Sequence, residues 1–443
     1  MSNPGQADPT PFTGAGQLAA WFAAGAKPRA QWRMGTEHEK IGFRRDGLAP
    51  PGYADGIGPM LEGLRALGWS PIRDGENVIG LTRGEASVSL EPGGQFELSG
   101  APLADVHAVK EELADHLREV HAVAQPLGLG FAGMGFHPTA TRDAMPWMPK
   151  SRYAIMRRHM PRVGSRGLDM MLRTATVQVN LDFADEADMR EKLRIGLALQ
   201  PLATALWASS PFEDGAPSGF LSGRGRAWLD TDNARAGIPA CVFEDGFGFE
   251  RFADYVLDVP MYFAAREGRL LDLAGASFRD LMRGAIPGLH ATMGDVTDHV
   301  TTVFTDVRLK KFLEMRGSDA GSVAMLLAQP AFWAGLLYDD AAQKAALALV
   351  RPWDVEAIRA LRAEVPRVAL AATIAGRPLR DVARDALAIS EAGLKARGLG
   401  EEAYLAPLHE IVASGMTQAE RMLQLFHGPW RGDAGRALRF TEV

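Results

Sequence analysis

Residues 35–43 have the alternation of an extended strand, and they read Gly35-Thr36-Glu37-His38-Glu39-Lys40-Ile41-Gly42-Phe43. Successive side chains of a strand point to opposite faces, so one face would carry two acids and two apolar groups, namely Glu37, Glu39, Ile41 and Phe43. Burying two like charges side by side is costly, and a metal ion or a cationic ligand is the usual remedy. From this segment alone, a metal site and a strand end that emerges into water are equally good interpretations.

Two further segments carry charged groups at strand positions. Glu91 and Glu97 lie on either side of a Pro-Gly-Gly sequence, and we expect them to bracket a turn or bulge. In residues 312–317, the alternation places Glu314 and Arg316 on one face, so that an acid and a base lie side by side.

Residues 175–183 alternate cleanly between polar and apolar side chains, and the polar face carries Thr176, Gln178, Asn180 and Asp182. Four strands that present Glu, Gln, Asn and Arg to a common side would form a polar concavity. Such a concavity suits hard cations with oxygen ligands and the phosphates that they bridge. The histidines are scattered, there is one cysteine and there is no HExxH motif, so the sequence does not indicate a soft-metal site.

Several basic residues are candidates for binding anions, because the arginine fork suits carboxylate and phosphate groups. They fall in two segments and comprise Lys150, Arg152, Arg157, Arg158, Arg224 and Arg226. For any one of them, a solvated surface charge is the more common role.

The bulk composition narrows the class of protein. With 443 residues, 47% of them hydrophobic and 23% charged, the chain is a globular protein. Its net charge of -6 argues against a nucleic-acid partner. The apolar run Ile195–Trp207 is interrupted by Gln200 and Pro201, which favours a buried, kinked helix over a membrane span. A single cysteine, Cys241, and a start without signal-peptide features lead us to expect a cytoplasmic protein.

The order of patterns along the chain predicts an α+β fold. We expect residues 1–15 to form a mobile tail and residues 16–443 to form a single catalytic unit, helical from about residue 331. The helical patterns cover residues 104–124, 341–350, 355–364, 379–396 and 417–426. His116 and His121 lie on the first of these helices, which is rich in charge, and we expect both to be solvated.

Common catalytic motifs are missing or out of context. Residues 128–133 match GxGxxG, but they follow a helical pattern and themselves resemble a strand, which argues against dinucleotide binding. There is no GxxxxGK[ST] loop and no GxSxG elbow, so an ATP site would not be of the P-loop kind, and a serine hydrolase is not indicated.

Several long phrases, in fixed order, resemble the plant-type glutamate-cysteine ligases from about Trp32 to about Trp430. They include residues 35–40, 89–100, 167–174, 176–183, 257–263 and 313–317. The resemblance implies a curled antiparallel sheet that forms a funnel and is related to glutamine synthetase. It also implies ligation of glutamate to cysteine, with ATP as co-substrate and Mg²⁺ as cofactor, by a monomer or a homodimer.

The resemblance also implies roles for individual residues. It places five acids and an amide toward magnesium: Glu37, Glu39, Glu91, Glu97, Glu314 and Gln178. Arg152 and Arg224 resemble the arginines that hold glutamate, with Asn180 beside them, and Arg316 is placed for the transferring phosphoryl group. Plant members carry regulatory disulfides, whereas Cys241 has no partner within this chain.

The residues leave three alternatives open. The first is a ligase of the same architecture that uses another amine, since the groups that hold glutamate and ATP say little about the acceptor. A metal-dependent hydrolase would use the same acids to activate water. A non-catalytic glutamate- or nucleotide-binding protein is the third alternative.

Overall fold

The structure is a computed structural model, and it describes residues 8–443. The predicted tail, residues 1–15, lies partly outside the described residues. Its described end differs from a mobile segment, because Phe12 is buried and its backbone N–H donates to the carbonyl of Ala291 over 2.9 Å. The Phe12 ring also packs edge-on against Phe278. The buried ring of Phe12 therefore anchors this segment to the rest of the protein.

Within residues 8–443, a nine-stranded antiparallel sheet forms the centre of the molecule, in the order β14-β15-β7-β1-β5-β4-β3-β2, with β6 pairing with the end of β1. Its strands are β1 (Met34–Arg44), β2 (Ser70–Asp74), β3 (Asn77–Arg83), β4 (Ala86–Leu90), β5 (Phe96–Ser99), β6 (Leu129–Ala132), β7 (Thr176–Leu181), β14 (Val307–Leu309) and β15 (Leu313–Asp319). The remaining strands form short pairs: β8 (Phe212–Glu213) with β9 (Ala216–Pro217), β10 (Ala236–Gly237) with β13 (Phe304–Thr305), β11 (Phe263–Arg266) with β12 (Arg269–Asp272), and β16 (Thr373–Ile374) with β17 (Arg377–Pro378).

Helices surround the sheet. Before β14 they are α1 (Ala15–Ala23), α2 (Gly58–Arg65), α3 (Val106–Ala124), α4 (Ser151–Val163), α5 (Gly167–Arg173), α6 (Glu186–Leu206), α7 (Gly223–Trp228), α8 (Phe249–Asp258), α9 (Phe278–Met282) and α10 (Met293–Thr301). After β15 they are α11 (Val323–Leu337), α12 (Asp340–Val350), α13 (Val355–Val368), α14 (Leu379–Arg397), α15 (Ala406–Ser414), α16 (Gln418–His427) and α17 (Arg436–Phe440). The predicted α+β class is confirmed, while the single catalytic unit over residues 16–443 stays a prediction.

One face of the central sheet is covered by helices. The apolar side chains of β7, Val177, Val179 and Leu181, are buried in the same hydrophobic core as those of α6 and α11. Helix α6 contains the apolar run that includes Pro201, and its interior residues are buried. Because helices cover this face, the opposite face of the sheet is the one that is left for polar chemistry.

Among the described residues, no helix has the length and apolar character needed to cross a bilayer.

His116 differs from its expected solvated position. It is buried on the inner face of α3, in line with Val109, Leu113 and Val120, and its ring lies 5.6 Å from that of His38 on the helix-covered face of β1. The charges of α3 lie on its outer face, so helical periodicity, rather than the overall charge of the segment, decides which histidine is buried. His121 is exposed, as expected.

Candidate active site

A continuous row of polar side chains crosses the face of the sheet that is not covered by helices. Residues directly opposite each other in an antiparallel pair project to the same side. Ser89 of β4 lies opposite Glu97 of β5, and Glu97 lies opposite Glu39 of β1. Glu37 of β1 lies opposite Gln178 of β7. The first half of the row is therefore acidic.

The row continues across the other half of the sheet with basic partners. Asn180 of β7 lies opposite Glu314 of β15, and Glu314 lies opposite Arg308 of β14. The Asn180 side chain donates a hydrogen bond to the Glu37 carboxylate, with 2.9 Å between Nδ2 and Oε1. Strands that are distant in sequence thus bring the predicted acids and amides onto one face.

A cavity of about 770 Å³, open to solvent, lies against this face. Six of the predicted site residues line it: Glu39, Glu91, Arg152, Gln178, Arg224 and Arg316. The other four, Glu37, Glu97, Asn180 and Glu314, belong to the same row but do not line the cavity itself. A smaller recess of about 390 Å³ adjoins the cavity and shares Arg224, Trp228, Phe304 and Arg316 with it.

Three carboxylates form the acidic end of the site. Glu97 is fully buried and accepts hydrogen bonds from the hydroxyls of Ser89 at 2.9 Å and Ser99 at 3.3 Å. Glu39 accepts the backbone N–H of Thr176 at 3.0 Å. Oε1 of Glu91 is buried and has no hydrogen-bond partner among the described residues.

Two of the three carboxylates at the acidic end, Glu39 and Glu91, are unfavourable in their ionised forms. Burial, reinforced by the charges of Glu91 and Glu97, raises the pKa of Glu39 well above its usual value. Burial and the charge of Glu97 likewise raise the pKa of Glu91 to about 7. A divalent cation at this end would relieve both effects.

The donors at the acidic end fit a magnesium ion that is shared with a phosphate. Magnesium is usually held by one or two carboxylates together with substrate phosphates and water, rather than by a cage made only of protein. Glu39 and the unpartnered oxygen of Glu91 provide such carboxylates on the cavity wall. Over residues 8–443, no three acidic, histidine or cysteine side chains converge as a ready-made metal cage.

Glu314 occupies a different environment from the other acids. It is 0% exposed, and Arg308 donates two hydrogen bonds to it, from Nε to Oε2 at 2.6 Å and from Nη2 to Oε1 at 3.0 Å. Lys310 lies 3.3 Å and Arg316 3.1 Å from its oxygens. Although burial opposes ionisation, these three cations hold the pKa of Glu314 well below its usual range. Its contacts are therefore with cations of the protein, and its role as a magnesium ligand stays a prediction.

Arg316 and Arg224 are joined at the basic end of the cavity. Nη1 of Arg316 donates to the side-chain oxygen of Gln178 over 2.8 Å, and Nη2 of Arg224 donates to the backbone carbonyl of Arg316 over 2.6 Å. Arg224 is buried near the start of α7 and also lies near the ring of Trp228. Both guanidinium groups are thus fixed in place where they line the cavity.

The remaining basic candidates divide between the site and the surface. Arg152 lines the cavity, with its guanidinium over the ring of Phe263. The others make contacts that do not involve the cavity: Arg157 lies over Trp147, Arg158 pairs with Asp272, and Arg226 pairs with Glu213. Lys150 is buried, and its ammonium donates to the carbonyl of Leu90 over 2.6 Å. Burial lowers the pKa of Lys150 to about 8.

Arg308 and Tyr153 are cavity residues that the sequence analysis did not single out. Arg308 could have been found, because residues 307–309 and 313–319 form a hairpin whose alternation places Arg308 on the face of Glu314. Tyr153 has no comparable signal. Its hydroxyl donates to the carbonyl of Leu90 over 2.6 Å, a contact that depends on how α4 packs against the end of β4.

Comparison with known proteins decides the family. The family model described as glutamate-cysteine ligase family 2 (GCS2) matches residues 33–439. The chain belongs to this family of glutamate-cysteine ligases. It is 50% identical over 417 residues to the chloroplastic glutamate-cysteine ligase of Nicotiana tabacum, a match that covers 93% of this chain and 80% of the relative. The chloroplastic enzyme of Arabidopsis thaliana is 49% identical, with the same coverage.

The fold also matches a solved ligase structure. The glutamate-cysteine ligase of Francisella tularensis, in complex with AMP, aligns with a TM-score of 0.55 over 93% of this chain and 87% of its own. The two sequences are 12% identical, so this likeness supports the fold alone.

The comparison with relatives by sequence contradicts the expected cytoplasmic location. The relatives from Nicotiana tabacum, Solanum lycopersicum and Arabidopsis thaliana are all named chloroplastic enzymes. A single cysteine and the composition of the first residues are weak evidence for a compartment, because a reducing environment is not unique to the cytoplasm.

Proposed function

We propose that this glutamate-cysteine ligase joins the γ-carboxylate of glutamate to the amino group of cysteine at the expense of ATP, in the cavity described above. The observation that carries the proposal is the division of one cavity into an acidic end, with Glu39 and Glu91, and a basic end, with Arg224 and Arg316. A metal-bridged polyphosphate and a carboxylate substrate would be held side by side by such a surface.

The reaction proceeds in two steps. An oxygen of the glutamate γ-carboxylate attacks the terminal phosphorus of ATP, the bond to the bridging oxygen breaks, and ADP leaves. The amine of cysteine then attacks the carbon of the resulting acyl phosphate, the carbon–oxygen bond breaks, and phosphate leaves while the amine loses a proton. Neither step needs a covalent bond to the protein, so a site without a nucleophile triad is sufficient.

The basic end would stabilise the charge that develops on the transferring group. Arg316 is suited to this role because Gln178 and Glu314 fix its guanidinium before substrate binds. Arg224 and Arg152 line the same cavity and would bind the carboxylates of glutamate through their planar forks. Asn180 does not line the cavity, and its hydrogen bond would orient Glu37.

Magnesium would be held at the acidic end. Glu39 and Glu91 are its best-supported ligands, because both line the cavity and both have a raised pKa. Glu37, Glu97 and Gln178 lie in the adjoining part of the row, and Glu314 is the least favoured since its charge is already paired. A bound magnesium ion would neutralise phosphate charge during transfer.

An ADP-release assay tests the proposal and its rivals. Purified protein is supplied with ATP, magnesium and glutamate, and a panel of amines is added with and without cysteine. We expect ADP release that requires both glutamate and cysteine, together with formation of γ-glutamylcysteine. Faster release with another amine would favour a different acceptor. Release of ADP and phosphate from ATP without either amino acid would favour a hydrolase and overturn the proposal.

A further inference from the structure

Asp319, at the end of β15, is a fully buried carboxylate that does not line the cavity. Three donors from two segments converge on it. The backbone N–H of Ser209 donates to Oδ2 over 3.0 Å, the hydroxyl of Ser210 donates to Oδ2 over 2.6 Å, and the hydroxyl of Ser222 donates to Oδ1 over 2.7 Å. Gly135 packs so closely that a β-carbon there would lie 2.2 Å from Cγ of Asp319.

The direction of these hydrogen bonds is fixed by the first turn of α7. The backbone N–H of Arg224 donates to the hydroxyl oxygen of Ser210 over 3.3 Å, and that of Gly225 donates to the hydroxyl oxygen of Ser222 over 2.8 Å. The hydroxyl oxygens of Ser210 and Ser222 accept hydrogen bonds from the backbone of α7. The single hydrogen of each hydroxyl is then donated to Asp319. Every partner of Asp319 is then a donor, which is the environment of an ionised carboxylate.

The charges of Asp319 and Arg224 interact favourably. Burial raises the pKa of Asp319, and the charge of Arg224 is the largest of the effects that oppose this rise. In return, Asp319 is the strongest of the charges that favour the protonated form of Arg224, whose own pKa is lowered by burial. Buried charges that are not in direct contact still interact strongly at low dielectric.

We propose that Asp319 is a positioning residue for substrate binding: through Ser210 and Ser222 it fixes the first turn of α7, and through its charge it holds the Arg224 guanidinium in the cavity. This inference rests on the proposed function in one respect, namely that Arg224 binds glutamate. The hydrogen bond from Arg224 to the carbonyl of Arg316 extends the same network to the basic end of the site.

The test replaces the charge and keeps the shape. In Asp319→Asn, the amide oxygen can still accept from Ser209 and Ser210, and the amide nitrogen can donate to Ser222. We expect the KM for glutamate to rise about tenfold, the effect of losing one interaction of a charged group, with less than about a twofold change in the KM for ATP. A purely structural role would instead lower the amount of folded enzyme without separating the two KM values.

A double variant and a matched control complete the experiment. When Arg224→Ala is already present, adding Asp319→Asn should raise the KM for glutamate no further, because residues that act through each other are not additive. Glu401→Gln is the control, since Glu401 is equally buried and pairs with Arg397 in the helical region outside the cavity. We expect it to leave the KM for glutamate unchanged.

The outcomes separate the inference from the proposed function. An unchanged KM for glutamate in Asp319→Asn, or an equal rise with and without Arg224, would overturn the inference while leaving the ligase activity in place. An unchanged KM in Arg224→Ala would instead remove Arg224 from the glutamate site, and with it the basis of the inference. If Asp319→Asn does not fold, Ser210→Ala carries the test, because it cuts the link to Arg224 and leaves the buried charge. It should then show the same selective rise, and its failure to do so would also overturn the inference.

Discussion

Arg308 and Glu314 face each other across a β-hairpin and form a buried bidentate ion pair, with contacts of 2.6 and 3.0 Å. This pair distinguishes Glu314 from the acids at the other end of the row, because its charge is already balanced by protein cations. We infer that Glu314 stabilises the basic end of the site and fixes the positions of the Arg308 and Arg316 guanidinium groups.

Glu314→Gln should therefore affect both stability and activity. Removing one partner of a buried ion pair leaves the other charge uncompensated, and this lowers the free energy of unfolding by about 3 to 5 kcal/mol. ADP release should fall as well, because Arg316 loses an anchor. Urea unfolding and the ADP assay measure the two effects. The control is Glu356→Gln, which changes an exposed pair with Arg359 and should cost less than about 1 kcal/mol. Equal losses in the two variants would contradict the structural role of Glu314.

Glu39→Gln should have the opposite effect on stability. The pKa of Glu39 is raised by burial and by two neighbouring acids, so the ionised form is unfavourable in the folded protein without magnesium. Removing the charge should raise the free energy of unfolding in magnesium-free buffer. It should also abolish most of the stabilisation that added magnesium gives the wild type, and lower turnover by about a hundredfold or more. Retention of the full magnesium effect would remove Glu39 from the metal site.

The stability of the metal-free protein should depend on Glu91 between pH 6 and pH 8. Its pKa is about 7 in the folded protein against 4.5 for the ordinary carboxyl, so the folded state binds the extra proton in this range. Stability contributed by this group therefore rises as the pH falls from 8 through 7. The difference in unfolding free energy between Glu91→Gln and the wild type isolates this contribution from those of nearby Glu97, Lys150 and Arg152. We expect the difference to shrink as the pH falls, and a constant difference would contradict the assignment.

Added magnesium should reverse the pH dependence of stability that Glu91 contributes. Protons and the metal ion compete for the same carboxylate, so magnesium affinity should weaken as the pH falls below 7. Titrating magnesium against thermal stability at pH 6 and pH 8 measures the competition. The same affinity at both values would place the ion elsewhere.

Arg224→Ala should chiefly weaken glutamate binding. The guanidinium lines the cavity and is held by the Arg316 carbonyl, so its loss removes a charged interaction without opening the core. We expect the KM for glutamate to rise roughly ten- to a hundredfold, with little change for ATP. Arg226→Ala is the matched control on the same helix, because Arg226 pairs with Glu213 and does not line the cavity. Equal effects of the two substitutions would argue against a specific role for Arg224.

Periodicity in the sequence anticipated most of the secondary structure. The predicted helix over residues 379–396 is α14, Leu379–Arg397, and the predicted strand over residues 175–183 is β7, Thr176–Leu181. Both follow from local rules, since a helix or strand with one buried face must repeat its apolar residues with a fixed spacing. The prediction that His116 is solvated is wrong, because the face of the helix on which a residue lies, and not the charge of the whole segment, decides its burial.

The sequence by itself determined the family, the fold class and the strand alternation that places Glu37 with Glu39, and Glu314 with Arg316, on one face. Tertiary structure decided how these charges are paired. Arg308 neutralises Glu314, whereas Glu91 keeps an oxygen without a partner among the described residues. Side-chain direction depends on the neighbouring peptide units, but burial and charge pairing depend on which distant strands become neighbours, and this is set only when the sheet assembles.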